Sequence, residues 1–463
     1  MSIKVTLVNP PYPRSAHSHP PFIPLGIGYL GAVCEEAGYE VNVIDCQAER
    51  LDFADFRRKI AQTDADVVGM TSTTLTYKSA LENARIAKEE LPECITVLGG
   101  CHVTFWDENA LKECPSLDIV VRREGEQTFV ELLGKLSKKS SLDDVLGITY
   151  RRKNGRIVRN ADRPFIEDLN DLPFPAHHLL PLKSFHVVGK TIFPLTTSRG
   201  CVYWCDFCTA VRMFGQKYRM RGPKNVVDEI EHVHNKYGAS QFTFYDDAFT
   251  VDPQRVMKIC DEIQKRKLSI HWDCETRVDM VTKDLLQKMS DAGCLAVWFG
   301  VESGSQNVLE KMHKKIRLDQ TRLAYRMARE LGLMTVASVV LGFPGETEQT
   351  AWETIRFVRE LDPDDIGFYI ATPYPGTPMY DLVKQKGWLK VTDFNKYDTA
   401  TPTFETPYLS GEKLAEIRYK ANQQFYLRPS YVLRMLGRGG TYGVSAVKTS
   451  AAYLLRALKL RLS

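Results

Sequence analysis

The first 140 residues alternate short apolar runs with stretches in which apolar residues recur every three or four positions. The short runs predict β-strands buried on both faces, and the periodic stretches predict helices that cross between them. The predicted strands are residues 3–8, 41–44, 66–70, 95–98 and 117–121. The predicted helices are residues 26–37, 56–61, 78–91 and 127–136. This alternation predicts an α/β domain with an open, doubly wound parallel sheet of the Rossmann type.

Polar and glycine-rich segments follow four of these strands. They are residues 9–12, 71–74, 99–102 and 124–126. In an open parallel sheet, ligands bind along the carboxyl edge, and such segments suit phosphate or amide groups. The Gly-Gly pair at residues 99 and 100 also suits a simple turn. We expect a ligand at this edge.

Residues 141–190 predict a linker. Residues 146–160 have the pattern of a β-hairpin that turns at Asn154-Gly155. Residues 168–181 contain three prolines, which predict an extended strap.

The alternation resumes in residues 191–400. The predicted strands are residues 192–196, 241–245, 269–274, 295–301, 335–341 and 366–370. Helical patterns separate them, and residues 401–463 predict a helical tail. Six strands joined by single helices predict a partial (β/α)6 barrel of the TIM type, whose active site lies at the carboxyl ends of its strands.

Composition and charge narrow the class of protein. Apolar residues make up 44% and charged residues 25% of the 463 residues, which is typical of globular chains. The formal net charge of +4 is too small to predict a nucleic-acid partner. Basic residues concentrate in residues 421–463, which hold seven Lys or Arg and no Asp or Glu.

Two features of the sequence bear on the cellular compartment of the protein: its first residues and its cysteines. The first residues predict a β-strand rather than a secretory leader, and no apolar run approaches the ~20 residues that cross a bilayer. Eight of the eleven cysteines are scattered singly. Reduced thiols in a chain of this kind predict a cytoplasmic protein.

Cys201, Cys205 and Cys208 form a C-x3-C-x2-C motif after the first predicted barrel strand. Thiolates are ligands for iron–sulfur clusters and for zinc. A four-iron cluster usually takes four cysteines, so three leave one iron open to a non-protein ligand, and Phe207 can exclude water from the metal. A structural zinc site is the alternative, but it needs a fourth local Cys or His, which the spacing lacks.

This motif, at the end of the first strand of a six-unit barrel, resembles the radical S-adenosylmethionine (SAM) superfamily. The resemblance covers residues 191–372 and implies a 4Fe-4S cluster held by the three cysteines. It implies that SAM chelates the open iron and is cleaved by one electron to methionine and a 5′-deoxyadenosyl radical. The implied electron donor is a flavodoxin or a ferredoxin.

Further residues follow the barrel strands in the pattern of that superfamily. The resemblance implies that Asp246 meets the amino group of SAM and that Glu302 accepts hydrogen bonds from its ribose. Arg277 or Ser303 would hold the carboxylate of SAM, which an arginine can bind with two bonds. The backbone at Gly345 would meet adenine. Taken singly, each of these residues also suits a salt bridge or a turn.

The domain before the barrel resembles that of the cobalamin-binding subclass, over about residues 1–400 in all. The implied cobalamin-binding residues are Asn9, Ser72, Thr73, Thr74, Gly99, Gly100 and His102. The sheet lacks the Asp-x-His-x-x-Gly motif with which some such domains ligate cobalt, and residues 184–189 match it only in part. We therefore expect cobalt without a histidine ligand from this domain, and His102 to line the nucleotide tail or to lie at the surface.

The last helical pattern, residues 452–462, places Arg456, Lys459 and Arg461 between leucines. A basic amphipathic helix of this kind can lie on an anionic membrane. The alternative is a terminal helix that closes the open barrel. Membrane contact would favour a lipid or tetrapyrrole substrate.

Three functions are open at this point. The first is a cobalamin-dependent radical SAM methyltransferase that moves a methyl group from methylcobalamin to an unactivated substrate carbon. The second keeps the cofactors but forms a ring, as in the anaerobic magnesium-protoporphyrin monomethyl ester cyclase. The third is a non-catalytic metal-binding module. A methylthiotransferase is disfavoured because the scattered cysteines form no second three-cysteine motif, and RNA binding because the sequence shows no basic stretch rich in aromatic residues.

Overall fold

The first sheet contains the five predicted strands in the predicted parallel arrangement. The computed structural model describes residues 3–13, 22–187, 190–429, 431, 433 and 434. The strands of this sheet are β1 (Lys4–Asn9), β2 (Glu40–Asp45), β3 (Val67–Thr71), β4 (Ile95–Gly99), β5 (Ile119–Val121), β6 (Ile148–Arg151) and β7 (Ile157–Arg159). The helices of this domain are α1 (Leu25–Glu36), α2 (Phe53–Ile60), α3 (Tyr77–Glu90), α4 (Cys101–Thr104), α5 (Asp107–Glu113) and α6 (Glu126–Ser137). The strand order is β2-β1-β3-β4-β5-β6-β7, with β1 to β5 parallel.

The predicted hairpin forms and extends this sheet. β6 pairs antiparallel with β5, and β7 pairs antiparallel with β6. Buried Arg122 secures the added edge by donating to Thr149 Oγ1 at 2.6 Å and to Asp162 Oδ1 at 2.7 Å. The sheet therefore continues beyond residue 140, where the first predicted domain ends.

The second unit is the predicted open barrel. Its strands are β8 (His186–Val187), β9 (Lys190–Leu195), β10 (Ser198–Arg199), β11 (Arg219–Met220), β12 (Gln241–Phe244), β13 (His271–Thr276), β14 (Cys294–Glu302), β15 (Met334–Leu341) and β16 (Asp365–Ile370). Its helices are α7 (Ala210–Phe214), α8 (Pro223–Tyr237), α9 (Pro253–Lys265), α10 (Lys283–Asp291), α11 (Gln306–Lys311), α12 (Leu318–Glu330), α13 (Glu348–Leu361), α14 (Pro378–Gln385) and α15 (Gly411–Tyr426). The sheet order is β16-β15-β14-β13-β12-β9-β8, and β10 pairs with β11 in a separate ribbon.

The barrel strands alternate between a buried outer face and an accessible inner face. Phe242, Phe244, Trp272 and Phe299 are buried in the core that the surrounding helices cover. Residues of the other parity, among them Glu275, are more accessible. These accessible side chains line the lumen, since successive side chains of a strand point to opposite faces.

The strap joins the two units. Ala176 N donates to Gly28 O of α1 at 2.9 Å, and a Cβ at Gly28 would lie 2.9 Å from Pro175 Cβ. The missing side chain at Gly28 therefore lets α1 approach the strap closely. At the far edge of the barrel, Tyr426 of α15 donates to Ile366 O of β16 at 2.7 Å.

The predicted basic helix at residues 452–462 lies outside the described residues. Among the helices that the structure describes, none has the length and apolar character needed to span a bilayer.

Candidate functional site

The cysteine motif lies on a loop that backbone hydrogen bonds hold in place. Gly200, before the first cysteine, has φ of 94°, and a Cβ there would lie 2.4 Å from Lys217 O. Asp206 N donates to Met312 O at 3.1 Å, and Met379 N donates to Asp206 O at 3.0 Å. The loop is thus tied to the residue after α11 and to the start of α14.

The three thiols are accessible to solvent to different degrees, and Cys208 is exposed. The surrounding protein raises the pKa of Cys201 and Cys205, and it raises that of Cys208 to about 12. Because the thiolate is the metal ligand, iron must displace these protons. Over the described part of the chain, no three His, Cys, Asp or Glu side chains converge as ligands of one metal ion. In a cubane each thiolate binds a different iron, so the motif does not need such convergence.

Asp246, predicted to meet the amino group of SAM, is buried and holds two strands together. It accepts from Thr197 N at 2.6 Å, from Ser198 Oγ at 2.7 Å, and from Thr197 Oγ1. The neighbouring Asp247 is accessible to solvent. Partial desolvation by the surrounding protein, together with the charge of Asp246, raises its pKa to about 6. The sequence analysis missed Asp247, although it lies in the same motif.

Glu302, predicted to bind ribose, forms a buried ion pair. Its Oε1 accepts from Lys314 Nζ at 2.6 Å. Although burial opposes it, the Glu302 carboxylate raises the pKa of Lys314. A Cβ at Gly300 would lie 2.6 Å from Glu302 Oε1 and 2.7 Å from Lys314 Nζ, so a side chain there would displace the pair. The sequence analysis missed Lys314 because its partner is twelve residues away.

The two residues predicted for the carboxylate of SAM differ in their free hydrogen-bonding capacity. Ser303 Oγ lies 3.0 Å from Thr354 Oγ1 and accepts from Ser305 N at 3.1 Å. Arg277 pairs with Asp279 and lies 3.5 Å above the Tyr203 ring, and its buried Nη1 has no partner among the described residues. Arg277 can therefore still donate to a ligand.

The remaining two predicted residues of the barrel have plain structural contacts. Phe207 packs edge-to-face on Phe343, with ring centroids 6.5 Å apart. Gly345 has φ of 91°, and its carbonyl accepts from Lys311 Nζ at 3.0 Å. Their roles toward the cluster and adenine remain predictions.

At the edge of the first sheet, several predicted cobalamin residues form local hydrogen bonds. Asn9 Nδ2 donates to Asp45 Oδ1 at 2.9 Å. Ser72 N donates to Gly99 O at 2.9 Å. Thr73 Oγ1 lies 3.2 Å from Thr76 Oγ1 at the start of α3. These hydrogen bonds fix the loops at the carboxyl edge of the sheet. The predicted contacts of these residues with cobalamin remain predictions.

His102 does not lie at the surface, which corrects one of the two expectations for it. It is 2% exposed, and its ring packs on Tyr77 and Phe394 with centroids 4.3 and 4.6 Å away. Its Nδ1 lies 3.1 Å from Thr74 Oγ1, and burial lowers its pKa to about 3. The side chain is a neutral member of an aromatic cluster, because Phe394, more than 290 residues later in the chain, covers it.

Two cavities border this edge. The first, the sheet cavity, has a volume of about 220 Å³ and lies between the sheet, α1, α6 and the barrel. Its lining includes Gly99, Gly100, Leu30, Phe129, Arg199 and Phe214. The second, the interdomain cavity, has a volume of about 330 Å³. Its lining includes Thr73, Thr74 and Cys101 from the first domain and Thr209, Tyr374 and Asp398 from the barrel unit.

A buried ion network fixes the two units beside these cavities. Arg199 Nη1 donates to Glu124 Oε1 at 3.0 Å, and Arg199 Nη2 donates to Glu126 Oε1 at 2.6 Å. Arg219 Nη1 lies 2.9 Å from Glu124 Oε1. All four side chains are at most 9% exposed. Since Arg199 lies two residues before Cys201, the network sets where the cysteine loop faces the first sheet.

Comparison with known families matches both units. The model for the B12 binding domain matches residues 15–133, and the model for the radical SAM superfamily matches residues 195–358. The chain is 36% identical, over 411 residues, to an uncharacterized methyltransferase of Pyrococcus horikoshii, covering 89% of each protein. It is 30% identical to the anaerobic magnesium-protoporphyrin IX monomethyl ester cyclase of Rubrivivax gelatinosus, covering 94% of this chain and 78% of that enzyme.

A solved structure has the same fold. It is the radical SAM methyltransferase TsrM from Kitasatospora setae, determined with cobalamin and a 4Fe-4S cluster bound. The match has a TM-score of 0.75 and 18% identity, and covers 98% of this chain and 100% of TsrM.

Fold and site therefore define an enzyme in which a B12 binding domain precedes a radical SAM barrel. The chain belongs to the cobalamin-binding radical SAM family. The predicted fold class, the enzymatic nature and the cofactors (a 4Fe-4S cluster, SAM and cobalamin) are confirmed. The predicted domain boundaries and the roles of individual site residues remain predictions.

Proposed function

We propose that this enzyme methylates an unactivated carbon of a small molecule. The interdomain cavity carries the proposal, because it is one space bounded by the carboxyl edges of both sheets. The methyltransferase among the relatives supports the same reaction. When bound, the cofactors supply the one-electron cleavage of SAM and the methyl group.

The residues of the barrel fit the cluster and SAM. Cys201, Cys205 and Cys208 would hold three irons from a loop that is already folded. The unpartnered Nη1 of Arg277 suits the carboxylate of SAM, and the accessible Asp247 suits its amino group. Lys314, which donates to Glu302 Oε1, would hold that carboxylate in place for the ribose.

The first domain fits cobalamin. The apolar walls of the sheet cavity suit the aromatic base of a nucleotide tail. A Cβ at Gly100 would lie 2.4 Å from Ser72 O, so only glycine lets the two strand ends lie this close. We do not expect His102 to ligate cobalt, since its ring packs against Tyr77 and Phe394.

Methyl transfer is tested with methyl-deuterated SAM. The anaerobically reconstituted full chain, with cobalamin and a low-potential reductant, is incubated with small-molecule, lipid and tetrapyrrole extracts, and products are identified by mass spectrometry. We expect one product that gains a labelled methyl group. A product that forms without label would instead support ring formation, and a chain that forms no 5′-deoxyadenosine would refute radical chemistry.

Two variants make this test specific. Cys205→Ser is expected to abolish 5′-deoxyadenosine formation and the visible absorption of the cluster. Cys114→Ala is the control, because Cys114 lies outside the motif and is 7% exposed. This variant should retain both 5′-deoxyadenosine formation and the visible absorption of the cluster.

The last part of the proposal concerns the electron donor and the cellular compartment. We further propose that a flavodoxin or a ferredoxin supplies the one electron that radical SAM chemistry requires, and that the protein acts in the cytoplasm. Peripheral membrane contact through residues 452–462 is tested by sedimentation with anionic vesicles, with a chain that ends at residue 434 as the control.

A further inference from the structure

The barrel lumen presents a carboxylate between two aromatic side chains. Glu275 of β13 is the register partner of Trp298 of β14. On the other side, Phe244 pairs with Cys274, and Tyr245 N donates to Leu195 O at 2.8 Å, which continues β12 by one residue. Register partners on parallel strands point to the same face. Tyr245, Glu275 and Trp298 therefore lie side by side across three strands.

These side chains are open to a ligand. Glu275 is exposed, Tyr245 is 41% exposed, and Tyr369 of β16 is 38% exposed on the same inner face. A Cβ at Gly367 would lie 2.5 Å from the Tyr369 ring, so glycine makes room for that ring along the lumen. The indole Nε1 of Trp298 is buried and has no partner among the described residues. The lumen thus has aromatic walls with unused hydrogen-bonding capacity.

The charge of the lumen is negative. Within the described residues, no Lys, Arg or His nitrogen lies within 4.0 Å of the Glu275 or Asp247 carboxylate. Partial desolvation within the lumen, with the carboxylates of Asp273, Asp247 and Glu302, raises the pKa of Glu275 to about 7. A cation that entered the lumen would relieve this repulsion.

Three cations of the barrel already have partners. Lys314 pairs with Glu302, and Arg277 pairs with Asp279. Arg418 Nε donates to Phe368 O at 2.7 Å, and its charge reaches the Tyr369 hydroxyl. Each of these cations therefore already has a carboxylate or carbonyl partner, and Arg277 keeps only its Nη1 for a ligand.

We propose that the substrate carries an organic cation, an alkylammonium or guanidinium group, which pairs with Glu275 between Tyr245 and Trp298. A charged nitrogen gains a charge-assisted hydrogen bond from the carboxylate and an attraction to the faces of the rings. An anionic substrate would meet repulsion in the same place. The inference rests on the proposed function, because it assumes that the substrate of that reaction extends from the interdomain cavity into the barrel lumen.

The test compares three probes of one shape that differ in charge. Benzylamine, benzyl alcohol and benzoate are titrated calorimetrically into the full chain at pH 8, where Glu275 is ionised. We expect benzylamine to bind at least tenfold more tightly than either of the others, a difference of about 1.4 kcal/mol. Glu275→Gln should remove this preference, and Tyr245→Leu should weaken benzylamine several-fold. Glu93→Gln, at an exposed carboxylate of the first domain, should leave it intact.

Other outcomes overturn the inference. They are equal binding of benzylamine and benzyl alcohol, tighter binding of benzoate, no binding of any probe, or an unchanged preference in Glu275→Gln. The proposed function fails by a different measurement, the absence of 5′-deoxyadenosine from the reconstituted wild-type enzyme. The two failures are therefore distinguishable.

Discussion

At the scale of single residues, burial rather than residue type separates the groups of the site. Asp246 and Asp247 are neighbours, yet the first is a buried acceptor of three hydrogen bonds and the second is accessible. Glu302 is buried too, but it is matched by Lys314 at 2.6 Å. Removal of one partner from such a pair leaves a charge without compensation.

Lys314→Met tests that pair. We expect the free energy of unfolding to fall by about 3–5 kcal/mol, because methionine fills the volume but leaves the Glu302 carboxylate buried without a cation. Urea unfolding of the cofactor-free protein measures the change. Lys315→Met, at an exposed neighbouring lysine, should change stability by no more than about 0.5 kcal/mol. Equal effects of the two variants would contradict the role of the ion pair.

Glu346 predicts a pH dependence. Burial raises its pKa to about 8, although Gly342 N donates to it. The folded protein therefore binds this proton more tightly than the unfolded chain, so stability falls as pH rises from the ordinary glutamate value of 4.5 to about 8. The expected slope from this one group approaches about 1.4 kcal/mol per pH unit.

Glu346→Gln removes that titration. The difference in melting temperature between the variant and the wild type should therefore change across this pH window, in favour of the variant at the alkaline end. Glu348→Gln, at an exposed position of α13, serves as the control and should show a constant difference. A constant difference for Glu346→Gln as well would show that the carboxyl titrates normally.

At the scale of elements, tight turns at strand ends shape the site. Gly100 between β4 and α4 has φ of 105°, and Gly200 before the cysteine loop has φ of 94°. In both places an added Cβ would lie 2.4 Å from a backbone carbonyl oxygen, which cannot move aside like a flexible side chain. The first turn borders the sheet cavity, and the second begins the cluster loop.

Gly100→Ala tests the first turn. We expect it to lower the melting temperature by several degrees and to abolish retention of cobalamin, because β4 must move away from Ser72. Absorption spectra after gel filtration with hydroxocobalamin measure retention. Gly134→Ala lies inside α6, where an added Cβ would lie 3.9 Å from its nearest neighbour. That control should retain cobalamin and gain up to about 1 kcal/mol of stability. Normal cobalamin retention by Gly100→Ala would show that the turn does not require glycine.

At the scale of the whole molecule, a buried network holds one domain on the other. Glu124 and Glu126 come from the first domain, whereas Arg199 and Arg219 come from the ribbon that carries the cysteine loop. Arg219 also donates to Phe214 O at 2.8 Å. The network therefore couples the position of the cysteine loop to the edge of the first sheet.

A double-mutant cycle of Glu124→Gln and Arg219→Gln tests this coupling. Each single variant should destabilise the protein by about 3–5 kcal/mol, and the double variant by clearly less than the sum of the two. The exposed pair Arg322–Glu360, with nitrogen and oxygen 2.6 Å apart, is the matched control. Its coupling should be only about 0.2–1 kcal/mol, and additive effects at Glu124 and Arg219 would show that they do not interact.

Sequence reasoning reached the fold and the cysteine motif but not the environment of the other residues. Apolar runs with period two or 3.6 predicted both α/β units, because such patterns determine which face of each element is buried. The same patterns did not predict that the hairpin extends the first sheet, because a hairpin pattern does not indicate which other strand it pairs with. The prediction that His102 could lie at the surface was wrong, because Phe394, from a distant part of the chain, covers its ring.

The sequence alone determined the two α/β units and the three-cysteine motif, because strand, helix and loop chemistry depend on residues that are close together in the chain. Only the tertiary structure decided which charges meet. The pairs Glu302–Lys314 and Glu124–Arg219, and the row of Tyr245, Glu275 and Trp298, depend on strand register and domain packing. A buried charge is unfavourable unless it is paired in the folded molecule. Its partner can be distant in the chain, so a local sequence pattern does not predict the pair.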